Sequence, residues 1–196
     1  MIKLLNKGNP VWITKSKNEH RKLKYTLQII QVDKIKICIN THVTNKIVQE
    51  AINKGSIKEL KDFNIIRPEK KFGKNTRFDF FLLNKVTNKK AFLEVKSVSL
   101  QRKNYHAEFP DSVTSRGKKH LENLVIANKQ GYESYLFFLI QIEKCKSFAI
   151  ASDIDPEYFK VFNSALKKNI NVICYDCKFT NKGIEINKKV DLINEW

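Results

Sequence analysis

The stretch AFLEVKSVSL, residues 91–100, places one acidic and one basic side chain inside a run that is otherwise typical of a buried strand. Successive strand residues point to opposite faces, so Glu94 and Lys96 share one face while Leu93 and Val95 share the other. Charged side chains are seldom buried without partners. The face that carries Glu94 and Lys96 therefore either meets water or builds a site.

A second carboxylate, Asp79 in TRFDFFLL, begins the preceding predicted strand, and Asn88 lies in a polar turn between the two strands. Antiparallel pairing in such a hairpin can bring Asp79 and Glu94 together on one face. Two adjacent carboxylates repel each other unless a proton or a cation separates them. Mg2+, or Mn2+ in its place, takes oxygen ligands of this kind. We therefore predict Asp79 and Glu94 as metal ligands.

A metal ion held by these carboxylates could activate a water molecule and stabilise the charge that develops on a phosphodiester. The Lys96 ammonium would position the nucleophile or neutralise the phosphate, so Asp79, Glu94 and Lys96 are the predicted catalytic residues. The alternative is a surface ion pair between Glu94 and Lys96, worth under about 1 kcal/mol. The same Glu-x-Lys spacing recurs at residues 59–61 and 69–71, but only at 94–96 does it lie in an apolar strand after a hairpin.

The elements that must position these residues follow from the hydrophobic periodicity. From residue 41 onward the predicted order is helix, three strands, helix, strand, helix, strand, which indicates a mixed α/β fold. The predicted elements are strands at Val11–Thr14, Lys24–Val32 and Ile35–Ile39, a helix at Thr41–Lys54, strands at Phe63–Arg67, Arg77–Leu83 and Ala91–Val98, a helix at Thr114–Lys129, a strand at Tyr135–Ile140, a helix at Pro156–Lys168 and a strand at Asn171–Tyr175.

The charge of the chain favours an acidic polymer as partner. Lys and Arg number 37 against 20 Asp and Glu, a formal net charge of +17. Most of the basic residues are lysines, and Asn and Ile are also abundant, which is the bias that an AT-rich genome produces. Part of the charge is therefore expected to be ordinary solvated surface.

The N-terminal strands carry aromatic residues beside a basic loop. Trp12 and Tyr25 flank this loop, in which the basic residues are Lys17, His20, Arg21 and Lys22. Aromatic rings stack on bases and cations follow phosphates, so this region could form a nucleic-acid surface. The alternative is a pair of core aromatics beside a solvated loop.

Other function classes are disfavoured by the composition. The longest apolar run, residues 136–140, is far too short to span a bilayer, and the N-terminus lacks the apolar core of a signal peptide, so we expect a cytoplasmic protein. Cys174 and Cys177 form a C-x-x-C without a second pair or a His pair. We interpret them as small core residues rather than as a metal or redox site.

The order of elements, with Asp79 followed by Glu94 and Lys96, resembles the PD-(D/E)xK nuclease superfamily, although Phe78 replaces its usual proline. More closely, the stretches GKNTRFDFFL, FLEVKSVSL and FPDSVTSRGKKHLENL resemble the sugar fermentation stimulation protein family. The resemblance implies a nuclease-like domain at residues 41–196, with a mixed central sheet flanked by helices. It also implies an OB-like β segment at residues 1–40 and sequence-non-specific DNA binding. Members usually carry further N-terminal residues, so we expect the OB-like barrel to be incomplete.

The resemblance also extends to the helix that begins near Thr114. In nucleases of this shape the helix after the catalytic strand flanks the metal site, so Arg116 and His120, one turn apart, are interpreted as phosphate contacts. Thr114 or Ser112 can cap this helix. The alternative is capping by Asp111 and a solvated basic helix face. The residues predicted to contact DNA are Arg77, Arg116, Lys118, Lys119 and His120.

The superfamily often draws an extra metal ligand from the preceding helix or strand, which makes Glu50 and Glu69 weaker candidates. Two hypotheses about function follow. The first is a DNA-binding protein with a Mg2+-dependent phosphodiesterase site. The second is a non-catalytic DNA-binding regulatory protein of sugar metabolism on the same fold. A pure binder has no need to hold two carboxylates where phosphates approach, which favours the first.

Overall fold

A computed structural model of the chain describes Leu4 and residues 6–73, 76–103 and 105–193. Lys74 and Asn75, which belong to the motif GKNTRFDFFL, lie outside the described residues. The elements are β1 (Val11–Lys15), β2 (Tyr25–Val32), β3 (Ile35–Cys38), α1 (Thr44–Asn53), β4 (Ile65–Phe72), β5 (Thr76–Leu83), β6 (Lys90–Val98), β7 (Leu100–Lys103), β8 (His106–Phe109), α2 (Ser115–Lys129), β9 (Glu133–Ile140), β10 (Ser147–Ile150), α3 (Pro156–Leu166), β11 (Asn171–Thr180), β12 (Gly183–Lys189) and β13 (Asp191–Leu192).

The largest sheet has six strands in the order β12-β11-β9-β6-β5-β4. Strands β4, β5 and β6 are antiparallel neighbours, β6, β9 and β11 run parallel, and β12 is antiparallel to β11. Helix α1 belongs to the hydrophobic cluster on one face, whereas α2 and α3 belong to the cluster on the other. The predicted mixed sheet flanked by helices is therefore confirmed.

Strand β9 is the centre of this sheet. All its residues from Ser134 to Ile140 are buried. Phe137 joins the cluster on the α1 side, and Phe138 joins the cluster on the side of α2 and α3. An apolar run without alternation is expected where helices cover both faces of a sheet. The interpretation of YLFFLI as a central strand is confirmed.

The helices follow their apolar periodicity. Helix α1 buries Ile47, Val48, Ala51 and Ile52 and ends before Gly55, whose φ of +67° suits glycine. Helix α2 is the longest, with 15 residues. In the parts of the chain that the structure describes, every helix is too short or too polar to cross a membrane.

The N-terminal strands form a separate antiparallel sheet in the order β1-β2-β3. The β2–β3 turn places Asp33 and Lys34 at positive φ, as a tight hairpin with this twist requires. The Cys38 N–H donates to the carbonyl oxygen of Gln141 at 2.9 Å, and Ile37 forms a bridge with Ile142. The small sheet is thus attached to the chain just after β9.

The structure also contains a four-stranded sheet, with strand order β13-β10-β8-β7, and the hairpin strand β12, neither of which was predicted from the sequence. Strands β7, β8 and β10 have four residues each, and β13 has two, so too few positions show an alternation. Strand β12 does carry a signal, because Ile184 and Ile186 alternate with polar residues after Gly183.

The predicted strand Phe63–Arg67 is wrong in its bounds. The structure places the strand at Ile65–Phe72, and Phe63 is a buried residue in the preceding turn. Pro68 and a run of charged residues disfavoured a strand in the sequence. Strand β4 lies at the edge of the sheet, where proline and charge are tolerated.

We expect Phe138→Ala to lower the free energy of unfolding by about 3–5 kcal/mol, because it would leave a cavity in the core. Phe138 is fully buried, and its ring centroid lies 4.6 Å from that of Phe148. It also pairs with Lys96 across the parallel β6–β9 register. Urea unfolding followed by circular dichroism measures the effect. Val86→Ala, at a position that is 89% exposed, is the control and should change stability by less than about 0.5 kcal/mol. Similar losses in both variants would contradict the described core.

Candidate functional site

Asp79 and Glu94 lie on neighbouring strands of the six-stranded sheet. The β5–β6 register pairs Phe80 with Leu93, so the next residues along the two strands are Asp79 and Glu94. Oδ2 of Asp79 accepts a hydrogen bond from the backbone N–H of Val95 at 2.8 Å, which attaches this carboxylate to β6. The hairpin thus brings the two carboxylates together.

The Glu94 side chain is deeply buried, with 3% of its surface exposed. Its Oε1 accepts a hydrogen bond from Lys96 Nζ at 2.7 Å and also contacts Nδ1 of His120 on α2. Burial acts to raise the pKa of Glu94, but the hydrogen bond from His120 and the charge of Lys96 outweigh burial and lower it. Glu94 is therefore an ionised carboxylate in the core, with one oxygen held by two partners.

The second oxygen of Glu94, Oε2, is buried and has no hydrogen-bond partner within the described parts of the chain. On Asp79, Oδ1 accepts a hydrogen bond from Nδ2 of Asn45 at 2.7 Å. Burial, and then the negative charge of Glu94, raise the pKa of Asp79. The two neighbouring carboxyl groups thus have pKa values shifted in opposite directions, and a cation between them would relieve their repulsion.

A cavity of about 580 Å³ opens beside Asp79. Most of its lining is basic or polar, and Glu94 and Lys96 do not belong to the lining. His120 contacts Glu94 and also faces the cavity, so it joins the buried carboxylate to the open space. The lining residues are Glu69, Arg77, Asp79, Ser115, Arg116, Lys119 and His120.

Helix α2 supplies one wall of this cavity. Thr114 is its N-cap, and the Thr114 hydroxyl oxygen accepts a hydrogen bond from the Gly117 N–H at 3.0 Å. Nε of Arg116 donates to Nε2 of His120 at 3.4 Å. Since the other ring nitrogen of His120 contacts Glu94, this histidine links the exposed Arg116 to the buried carboxylate.

The structure brings four of the five predicted DNA-binding residues to one cavity. Arg77, Arg116, Lys119 and His120 line the same cavity. Lys118 is outside the lining and lies within electrostatic reach of Glu157 on α3. The structure therefore does not bring Lys118 together with the others.

Of the two weaker candidates for a metal ligand, Glu69 lies at the cavity beside Asp79 and Glu50 does not. Glu69 lines the cavity with Asp79, and its backbone φ of +54° is unusual for a residue other than glycine. Its carboxylate lies 3.4 Å from an Arg77 guanidinium nitrogen. Glu50 lies elsewhere on α1, in an exposed ion pair with Lys54 at 2.5 Å.

Sequence reasoning missed Asn45 and Ser115. Asn45 is the second residue of α1, and its contact with Asp79 joins residues 34 positions apart. No local pattern marks one asparagine among the many in this chain. Ser115 could have been predicted, because it is the first residue of α2 and directly precedes Arg116, a predicted phosphate contact.

The aromatic residues of the N-terminal sheet are not core residues. Trp12 is 40% exposed and Tyr25 is 55% exposed. The ammonium of Lys36 lies 5.3 Å from the centroid of the Trp12 ring, a cation–π geometry. The structure thus excludes the interpretation of Trp12 and Tyr25 as core aromatics.

Among the described residues, no group of three or more His, Cys, Asp or Glu side chains is placed to hold a metal ion, and this includes the surroundings of Asp79 and Glu94. Cys174 and Cys177 are buried, and burial raises the pKa of both thiols. They are small core residues, as the sequence predicts.

Comparison with known proteins identifies relatives of the whole chain. A family model described as the sugar fermentation stimulation protein RE domain matches residues 42–183, and one described as the SfsA N-terminal OB domain matches residues 1–39. The sugar fermentation stimulation protein homolog of Pelagibacter ubique is 46% identical over 191 residues, which cover 97% of this chain and 82% of the relative. The homolog of Rhodospirillum centenum is 40% identical, covering 94% of this chain and 79% of the relative.

A solved structure shares the fold. The SfsA of Pyrococcus furiosus, solved in complex with Ca2+, matches with a TM-score of 0.87 over 98% of this chain and 81% of the other, at 20% sequence identity. Together with the matching family models and the curated relatives, this fold confirms the resemblance that the three sequence motifs indicate. The chain belongs to the sugar fermentation stimulation protein family.

Proposed function

We propose that this protein binds DNA without sequence preference and carries a divalent-cation-dependent phosphodiesterase site at Asp79, Glu94 and Lys96. The observation that carries the proposal is the convergence of two carboxylates and one ammonium beside a cavity with a basic lining. Acidic groups for a cation and basic groups for phosphates meet at one place. This combination suits hydrolysis of a nucleic-acid backbone.

The donor set fits Mg2+ or Mn2+, which prefer oxygen ligands. Asp79 and Glu94 would hold the cation, which would meet the unpartnered Glu94 Oε2 and relieve the repulsion that raises the pKa of Asp79. The Pyrococcus furiosus relative was solved with Ca2+, another cation with this preference. When bound, the cation supplies an activated water molecule and stabilises negative charge on the phosphodiester.

Side chains of the protein would neutralise the phosphates and orient the Glu94 carboxylate. Lys96 lies 2.7 Å from Glu94 Oε1, so its ammonium stays next to the cation-binding carboxylate and can neutralise the reacting phosphate. His120 holds the same oxygen and keeps the Glu94 carboxylate in one orientation. Arg77, Arg116 and Lys119 line the open side of the site, where they can neutralise flanking phosphates.

The N-terminal sheet would extend the DNA-binding surface. Trp12 and Tyr25 expose aromatic rings, and Lys36 adds a positive charge beside Trp12. Exposed rings among cations bind single-stranded nucleic acid by stacking, with little dependence on sequence.

The rival function, DNA binding without catalysis, is favoured by one observation. Glu94 is buried and Lys96 is half-buried, neither lines the cavity, and His120 both contacts Glu94 and faces the cavity. In a pure binder, Glu94 would serve only to hold Lys96 and His120 in place. Cation binding by the purified protein decides between the two.

We expect Glu94→Gln to abolish Mn2+ binding and any cleavage of plasmid DNA, because one of the two anionic ligands becomes neutral. DNA affinity without metal should stay equal or rise, because a negative charge near the phosphates has been removed. Calorimetric Mn2+ titration and a cleavage assay measure these effects. Glu50→Gln, on the exposed face of α1, is the matched control and should behave like wild type. Undiminished Mn2+ binding by Glu94→Gln would rule out Glu94 as a ligand.

Lys96→Met should separate metal binding from catalysis, because it removes the ammonium and keeps an unbranched side chain. Mn2+ should still bind, but the cleavage rate should fall by about 10² to 10⁴, the range for loss of one positioned catalytic group. Single-turnover cleavage at saturating Mn2+ measures the rate. If wild-type protein binds no Mg2+ or Mn2+ and both site variants hold DNA as wild type does, the non-catalytic function is correct.

DNA binding should be electrostatic, with affinity falling steeply as salt rises. Arg116→Ala and Lys119→Ala should each weaken binding to all duplex sequences and reduce the log–log salt slope by about 0.9. Lys118→Ala is the control within the same helix turn, because Lys118 lies outside the cavity. Fluorescence anisotropy between low and moderate salt gives the slopes. Equal losses in all three variants would mean that the cavity does not define the binding surface.

A further inference from the structure

The carboxylate of Asp79 accepts hydrogen bonds from two other elements of the fold. Its Oδ2 accepts from the backbone N–H of Val95 on β6 at 2.8 Å, and its Oδ1 accepts from Nδ2 of Asn45 on α1 at 2.7 Å. Each oxygen therefore has one donor. A carboxylate oxygen can accept from two partners, so both oxygens keep capacity for a cation.

Backbone pairing alone does not fix the Asp79 side chain. The β5–β6 register reaches as far as the Phe80–Leu93 pair, one residue short of Asp79. Past this pair, the Val95 N–H donates to the Asp79 side chain. The terminal torsion of an aspartate is soft, so its orientation depends on the donors that reach its two oxygens. One of these donors, Asn45, comes from outside the sheet.

The first turn of α1 is anchored, which gives Asn45 a defined place. Thr44, the preceding residue, is buried, and its hydroxyl group donates to Oε1 of Gln141 at 2.6 Å. The same oxygen accepts from the hydroxyl group of Ser97 on β6 at 2.9 Å. The start of α1 is thus bonded to the segment after β9 and, through Gln141, linked to the strand that carries Glu94.

A second Asn–Asp pair, in the β11–β12 hairpin, shows a different arrangement. Oδ1 of Asp176 accepts from Nδ2 of Asn187 at 3.0 Å and from the Lys188 N–H at 2.9 Å. Both donors are on the neighbouring strand and both meet one oxygen. On Asp79 the two donors meet different oxygens and come from different elements, which fixes the rotation of the carboxylate.

We propose that Asn45 is a positioning residue for Asp79, whose carboxylate it keeps in one orientation together with the Val95 N–H. Hydrogen bonds to a metal-binding carboxylate orient it and strengthen metal binding. This role rests on the proposed function, in which Asp79 is a cation ligand. The alternative is a bond that only attaches α1 to the sheet. Such a bond would affect stability and leave the affinity for a cation unchanged.

Amide hydrogen exchange at Val95, followed by NMR, tests the role without metal or DNA. Asn45→Leu removes the donor and keeps a side chain of similar size. We expect the Val95 amide to exchange about tenfold faster, because a less restrained Asp79 releases it more often. Asn45→Ala is a second variant and should act alike. Unchanged exchange at Val95 in both variants would overturn the proposal.

Asn187→Leu is the matched control, because it removes the same kind of donor from an aspartate that also accepts a backbone N–H. It should speed exchange of the Lys188 amide and leave the Val95 amide as in wild type. Faster exchange at Val95 in this control would mean a general loosening of the sheet, which would also overturn the proposal.

Calorimetric Mn2+ titration tests the functional part. Asn45→Leu should bind Mn2+ about tenfold more weakly, as for other residues that orient metal ligands, and Asn187→Leu should bind as wild type does. Faster exchange at Val95 with unchanged Mn2+ affinity would show that Asn45 only attaches α1, and would overturn the positioning role. Failure of wild-type protein to bind Mn2+ would overturn the proposed function, while exchange at Val95 would still decide whether Asn45 holds Asp79.

Discussion

The site depends on how one buried carboxylate is kept charged. An isolated ionised glutamate in a protein core is strongly unfavourable, and its usual response is to take up a proton. Glu94 stays ionised because Lys96, on the same strand β6, donates a hydrogen bond to it and His120 contacts it from α2. Helix α2 supplies His120 to this carboxylate, the register of the β5–β6 hairpin places Asp79 beside it, and the burial of β6 removes it from solvent. Removing Lys96 would leave the buried Glu94 charge without its cationic partner, and removing His120 would take away a second contact to the same oxygen.

The sequence could predict those parts of the site that depend on residues close together in the chain, namely the β5–β6 hairpin and the start of α2. The hairpin follows from Asn88 in its turn, which the structure places at a φ of +55°, and pairing of the two strands then brings Asp79 to Glu94. The start of α2 follows from the capping residue Thr114, and helical spacing places His120 one turn beyond Arg116. In each case the deciding interaction lies within a few residues, or within one hairpin.

The parts that sequence could not predict are made by residues far apart in the chain. Asn45 meets Asp79 only because the start of α1 comes close to the first half of β5, and this contact joins residues 34 positions apart. Lys118 and Lys119 are equivalent in type and adjacent in sequence, yet only Lys119 lines the cavity. That difference depends on how α2 is rotated against α3, which side-chain packing decides and residue type does not.

The capping residue of α3 has a consequence for the order of assembly. Asp155 accepts hydrogen bonds from the Tyr158 N–H at 2.9 Å and from the Thr114 N–H at 2.8 Å, so one side chain joins the first turns of both helices. The contact with Thr114 spans 41 residues of chain. During synthesis, the hairpin and the α2 segment leave the ribosome before Asp155 does. The wall that carries His120 therefore gains its final support late, after the segment that forms α3 has been made.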